Sequence, residues 1–251
     1  MLSGADILWI SVLLMIVAAL YSSVGHGGAS GYLAVMTLFA IPPQVMSSTA
    51  LLLNVLVSLI SLIMFRRSGH VSIGMIWPFL IGSVPAAFIG GLIRISPSVY
   101  AVLLALALIA AAVRLAVPFN GVRGDQPTTN QPGKLLASMI GAGIGFLSGI
   151  VGIGGGIFLG PVLLLKGWAN AHQTAGICAG FILINSLSGL AGRLVQGSFQ
   201  IGPIGYFVLA ALAGGLIGSY MGARKFRSVV LRRLLALALV VAAIKVLVTT
   251  G

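Results

Sequence analysis

Apolar residues run along this chain in ten blocks separated by short polar or glycine-rich breaks, at about 7–24, 30–41, 47–65, 73–93, 98–117, 135–150, 157–166, 173–195, 203–222 and 228–249. The blocks are long and unbroken, where a membrane β-barrel would show short alternating strands, so the pattern predicts helices. Eight blocks approach the ~20 residues that a helix needs to cross a ~30 Å hydrocarbon core. The second and seventh fall short, because twelve residues of helix reach only about 18 Å. Both short blocks directly follow a glycine cluster. The first cluster is Val24-Gly25-His26-Gly27-Gly28-Ala29, and the second, 127 residues later, is Val151-Gly152-Ile153-Gly154-Gly155-Gly156.

Composition turns this pattern into a class. Hydrophobic residues make up 59% of the 251, charged residues only 6%, and the mean hydropathy is +1.17. No soluble domain of this size hides so much apolar surface, so the chain is an all-α polytopic membrane protein whose surroundings are the lipid bilayer. The net charge of +12 comes from 14 Lys and Arg against Asp6 and Asp125. In a membrane chain, basic loops set orientation, and no nucleic acid is implied. The one cysteine, Cys178, excludes an intramolecular disulfide and a cysteine-built metal site. The first block lacks a basic leader and a cleavage site, and reads as a retained helix.

Loop charges decide whether the short blocks cross. If all ten cross, one side carries Arg66, Arg67, Arg114, Arg123, Lys134, Lys166, Arg224, Lys225, Arg227, Arg232 and Arg233, while the other carries Arg94, Arg193 and Lys245. If the short blocks only dip and return, the charges divide almost evenly. The asymmetric count favours ten passes with the basic loops cytoplasmic. The chain also repeats itself: Leu20 to Ala29 aligns with Leu147 to Gly156, Asn54 with Ser58 echoes Asn185 with Ser188, and Gly90-Gly91 echoes Gly214-Gly215. Five passes per half invert the second half relative to the first, as in many secondary transporters. The expected organisation is a membrane repeat over 1–118, a Gly, Pro and Asn-rich linker over 119–134, and a second membrane repeat over 135–251.

A segment too short to span brings a flanking loop into the membrane, and a loop of glycines brings bare backbone amides. Those amides and the start of the next helix make a positive-ended anion site. The competing reading is that the glycines only let helices pack closely. Duplication before two half-length segments favours the site, built from Gly25, His26, Gly27 and Gly28 with Gly152, Gly154, Gly155 and Gly156.

These residues resemble the sulfite exporter TauE/SafE family, also known as the toluene-sulfonate uptake permease family. The resemblance lies in Gly25-His26-Gly27-Gly28 with Ser30 to Met36, in Val151 to Pro161, and in Asn185-Ser186-Leu187-Ser188-Gly189-Leu190. It covers nearly the whole chain and implies a transporter of sulfite or organosulfonates in the bacterial inner membrane. The first copy departs from the all-glycine version through His26 and Ala29.

His26 is the one histidine placed in the apolar part of the chain. As a cation it pairs with a sulfonate or carries a coupling proton, and as a neutral ring it bonds backbone at a helix end. Asn54 and Asn185, with Ser58 and Ser188 nearby, offer donors for an anion or bonds between helices. Ser22, Ser23, Ser30, Thr49 and Cys178 are secondary candidates. Arg193 either attracts anions at one mouth or snorkels to the interface. Trp9, Trp77 and Trp168 read as interfacial anchors. With acids only near the N-terminus and in the linker, no buried carboxylate is available for a proton relay or a cation site, so an anionic substrate fits better. No phosphate-binding loop, metal cluster or nucleophile with an adjacent base is present, so no enzyme and no cofactor is expected. Two rival readings are a passive anion channel and a non-transporting assembly factor; a homodimer is compatible with the sequence.

Overall fold

The structure is a computed structural model that describes residues 3–71, 73–116, 132–201 and 204–223, with the short stretches 239–240, 243–245 and 247–248. Nine helices fill the first four stretches: α1 (Gly4–Ser22), α2 (Ala29–Leu38), α3 (Pro43–Arg67), α4 (Ile73–Leu92), α5 (Pro97–Ala116), α6 (Lys134–Val151), α7 (Gly156–Leu165), α8 (Ala171–Gln196) and α9 (Ile204–Ala223). Each matches an apolar block to within a few residues. Most of the expected linker and most of the tenth block lie outside the described residues. Six helices are long and apolar enough to cross a membrane, namely α1, α3, α4, α6, α8 and α9. Shorter apolar helices occupy Ala29–Leu38, Pro97–Val113 and Gly156–Leu165. The protein is a multi-pass helical membrane protein.

Two pairs of helix starts contrast with each other. At α1, Ser3 and Asp6 cap each other reciprocally, and at α8, Asn170 and Gln173 do the same. These capping boxes satisfy amides that a helix start otherwise leaves open. By contrast, α2 and α7 begin at Gly28 and Gly155, both left-handed, which bring no capping side chain of their own. Their first-turn amides are left for something else.

The helices α3 and α8 form the centre, with 56% and 72% of their membrane windows buried against 28% for α1. Around this pair, α1 packs along α9, α6 along α4, α4 along α8, and α9 along α3. The outer seams rest on glycine. A methyl group built at Gly141, Gly145 or Gly149 of α6 would strike the carbonyl oxygens of Phe79, Ser83 and Ala87 on α4. One at Gly214, Gly218 or Gly222 of α9 would strike the carbonyls of Met15, Ala19 and Ser23. Each series recurs every fourth residue, on one helix face, where lipid-embedded helices gain most from close backbone approach. A buried bond between Ser61 and Ser219 (2.9 Å) adds a polar tie between α3 and α9.

Basic side chains finish several helix ends. Arg94 Nη2 donates to Gln196 O at the end of α8 (3.1 Å), and Lys245 Nζ to Leu38 O at the end of α2 (2.7 Å). Arg193 Nη2 donates to Gly149 O (3.0 Å) and Ile150 O (2.7 Å) in the last turn of α6. Helix C-termini carry partial negative charge and open carbonyls, which is what these cations meet. Arg193 is therefore buried rather than snorkelling. Trp9 and Trp77 are exposed, but Trp168 is buried against Phe79 (ring centroids 6.3 Å apart), because the turn after α7 folds it into the α4–α8 core.

Two glycines two residues apart on α6 should respond oppositely to alanine. A Cβ at Gly145 meets only Ser83 backbone, whereas Gly143 faces open space. We expect Gly145→Ala to lower stability by roughly 1–3 kcal/mol through overpacking. Gly143→Ala should be neutral or slightly stabilising, by up to about 1 kcal/mol. Thermal unfolding in detergent checks both.

Candidate functional site

Both glycine breaks reach the same point of the bundle. In the first, Gly25 and Gly28 have φ of 74° and 100°; in the second, Gly152, Gly154 and Gly155 have 90°, 78° and 82°. The left-handed angles at Gly25 and Gly152, and again at Gly28 and Gly155, fall at matching positions of the two clusters. L side chains rarely adopt such angles, which explains why glycine is required there. Between the breaks stands Asn54 of α3. Its Oδ1 accepts from Ala29 N at the start of α2 (3.1 Å), and its Nδ2 donates to Ile153 O in the second break (3.1 Å). A weaker contact joins Nδ2 to Ser186 Oγ (3.5 Å).

Ile182 of α8 completes the meeting point. A Cβ at Gly154 would lie 2.5 Å from Asn54 Nδ2 and 2.9 Å from both Ile182 Cγ2 and Ser186 Oγ. One at Gly27 would strike Asn54 Oδ1 and lie 3.1 Å from Ile182 Cγ2. Gly156 likewise faces Ile182 and Cys178, and Cys178 Sγ donates to Gly156 O (3.6 Å). Counted along the chain, Asn54 and Ile182 each lie eleven residues beyond the first residue of their helices, Pro43 and Ala171. The partner of Asn54 in depth is thus Ile182, and Asn185 lies almost one turn further on.

The buried backbone around this point has unused donors. The N–H groups of Gly27, Gly28, Ser30 and Gly31 form no hydrogen bond among the described residues, nor do those of Gly154, Gly155, Gly156 and Ile157. All eight residues are buried. Buried amides without partners are rare in native proteins. Two hydroxyls add to them: Tyr32 Oη and Ser148 Oγ are buried and without a partner. Tyr32 Oη stands 2.7 Å from where a Cβ of Gly28 would lie, and Ser148 borders Gly155. The arrangement offers many donors and, apart from Asn54 Oδ1, few side-chain acceptors, which suits an anion.

The other candidates divide. His26 Nδ1 donates to Val24 O (2.9 Å), a ring bonded to backbone just past a helix end. Its Nε2 edge points toward α7 and α8, where a methyl at Gly160 would lie 3.3 Å away. Asn185 Nδ2 donates to Phe181 O within its own helix (2.8 Å), while its Oδ1 is buried without a partner. Ser188 is not brought to the breaks: its Oγ donates to Val84 O on α4 (2.6 Å). Ser58 Oγ donates to Asn54 O, and Ser30 Oγ to Tyr21 Oη (2.9 Å). Tyr32, Ser148, Ser186 and Ile182 went unselected in the sequence. Tyr32 and Ser186 lie within the motif stretches Ser30 to Met36 and Asn185 to Leu190, and Ser148 within the repeat Leu147 to Gly156, which were the available signals; nothing local marks Ile182.

The family model described as "Sulfite exporter TauE/SafE" matches residues 10–246. The chain belongs to the TauE/SafE family. Within 239 aligned residues, 95% of this chain and 97% of the relative, it is 36% identical to the probable membrane transporter protein y4hK of Sinorhizobium fredii. It is 25% identical over 240 residues to the probable membrane transporter protein YjnA of Bacillus subtilis, covering 86% of this chain and 91% of that one. No solved structure matches the chain. In this TauE/SafE protein, as in those relatives by name, the fold is that of a membrane transporter.

The tie through Asn54 makes a direct expectation. Asn54→Ala leaves Ala29 N and Ile153 O buried without their partner, at about 1–3 kcal/mol each. Asn54→Asp keeps the acceptor for Ala29 N but turns a carboxylate oxygen toward Ile153 O. Both variants should unfold at lower temperature than the parent, with Asn54→Asp no better than Asn54→Ala, in a thermal-shift assay on purified protein.

Proposed function

We propose that this protein is a secondary transporter or exporter of sulfur-containing anions, sulfite or organosulfonates, across the bacterial inner membrane. The observation that carries this reading is the two runs of unpaired, buried amides at the starts of α2 and α7, drawn to one point by Asn54. Helix N-termini favour negative charge, and neutral donors suffice when the substrate brings that charge itself. A sulfite or sulfonate group presents three oxygens, which matches a site rich in N–H and hydroxyl donors. Family membership supports the transporter class, and the donor chemistry supports the anion.

Alternating access follows from the same frame. The α1–α9 and α6–α4 seams are exchanged counterparts, as are α3–α9 and α8–α4, which supports two inverted halves over 1–118 and 135–251. The paired φ angles in the breaks support it too. In this reading the halves rock about the point where Asn54 and Ile182 flank Gly27 and Gly154, the basic loops face the cytoplasm, and each break opens toward one side in turn. Asn54 holds the breaks in register, and Tyr32, Ser148 and Ser186 add hydroxyls to the amides of Gly27, Gly28, Gly154, Gly155 and Gly156. His26, whose Nδ1 donates to Val24 O, is the candidate for carrying any coupled proton.

Two measurements test this. Purified protein in liposomes should take up sulfite or a sulfonate with saturation and counterflow, in a panel that includes thiosulfate, sulfoacetate, taurine and carboxylate analogues. Unsaturable current would instead mark a channel, and no flux at all would remove the reading. Side chains at Gly27 or Gly154 collide with Asn54, so glycine variants report packing as well as binding. Tyr32→Phe is cleaner: it removes one buried hydroxyl and nothing else. It should raise the KM of the transported anion by roughly five- to thirtyfold, the equivalent of about 1–2 kcal/mol, while the unfolding temperature holds or rises.

A further inference from the structure

Arg193 is 8% exposed and is the one arginine or lysine that is buried among the described residues. One nitrogen of its guanidinium serves Gly149 O and Ile150 O, while its Nε is buried without a partner. Tyr100 Oη donates to Val151 O (3.2 Å), so three successive carbonyls are covered just before the second glycine break at Gly152. Among the described residues no carboxylate neutralises the cation. Asp6, the only acid among the described residues, is spent on Ser3 at the exposed start of α1.

Withdrawing a full charge from water costs far more than the partial charge of a helix end returns. The carbonyls of α6 therefore lower the positive potential around Arg193 without cancelling it. The guanidinium lies against the last turn of α6, with Nη2 on two of its carbonyls and Nε fully buried, so the charge is withdrawn from water. A small anion arriving at the second break is the kind of ligand that completes this electrostatic arrangement.

We propose that Arg193 is a specificity-determining residue that draws the substrate anion to the second glycine break by its charge. This rests on the anion reading above. A residue that only caps α6 would act differently: capping needs N–H donors, whereas attraction needs charge. Arg193→Gln keeps donors for the α6 carbonyls and removes the charge. Arg193→Lys keeps both. Tyr100→Phe loosens the neighbouring cap and leaves the charge alone.

The test is sulfite uptake by the full chain in liposomes at fixed pH, with unfolding temperature measured alongside. The expected result is a KM at least about tenfold higher in Arg193→Gln, with the maximal rate held within about threefold and the fold retained. Most of the affinity should return in Arg193→Lys, and Tyr100→Phe should bind sulfite normally. A folded Arg193→Gln with unchanged KM overturns the proposal. So does a KM raised as much in Tyr100→Phe, since that traces the effect to the cap. Should Arg193→Gln fail to fold, Arg193→Lys decides: a folded lysine variant with tenfold weaker uptake overturns it, and near-normal uptake supports it. Wild-type protein without saturable uptake of any sulfur anion would instead overturn the transport reading itself, and this proposal with it.

Discussion

Asn54 is the constraint on which the centre of the molecule depends. A single amide accepts from the start of α2 and donates to the backbone of the second break, so Asn54 holds two segments distant in the chain, at Ala29 and Ile153, in register. Nothing larger would fit beside it, because Gly27 and Gly154 press against the amide from either side. The left-handed glycines then turn the chain abruptly into α2 and α7. With the amide oxygen used for Ala29, the other first-turn N–H groups remain unpaired in a buried place. That combination is unfavourable for a resting structure unless a ligand uses it, since each buried unsatisfied donor costs about 1–3 kcal/mol.

The surrounding seams have to hold this centre without the hydrophobic effect that assembles soluble proteins, because lipid tails are as apolar as the helices they would leave. Close packing takes over that task. Glycines every fourth residue on α6 and α9 bring helix backbones into contact with α4 and α1. Polar ties are few and specific: Ser61 with Ser219, Ser188 with Val84 O, Arg94 with Gln196 O.

Charge is distributed by the same economy. The three cations that the loop count assigns to the sparse side, Arg94, Arg193 and Lys245, all meet carbonyls at helix C-termini. Their positions follow from helix ends that need donors. Arg193 differs from the other two in being buried, and that difference gives it a chemistry the others lack.

The sequence by itself determined the class and the element plan. Apolar block lengths follow from bilayer thickness, and glycine clusters before half-length blocks follow from the need to place open backbone inside protein, so nine helices and both breaks were legible from local pattern. It also determined that the two acids, Asp6 and Asp125, fall near the N-terminus and between the two apolar halves of the chain. Which polar side chain faces which break was decided only by the tertiary structure. Asn54 and Asn185 look equivalent in sequence, yet helix phase and depth put Ile182 opposite Asn54 and turn Asn185 onto its own helix. Arg193 reads as a helix-end arginine bound for water, and only the packing of α6 and α4 beside α8 buries it on the carbonyls of Gly149 and Ile150. Such choices depend on residues a hundred positions apart meeting across a seam, and no local period or composition encodes that meeting.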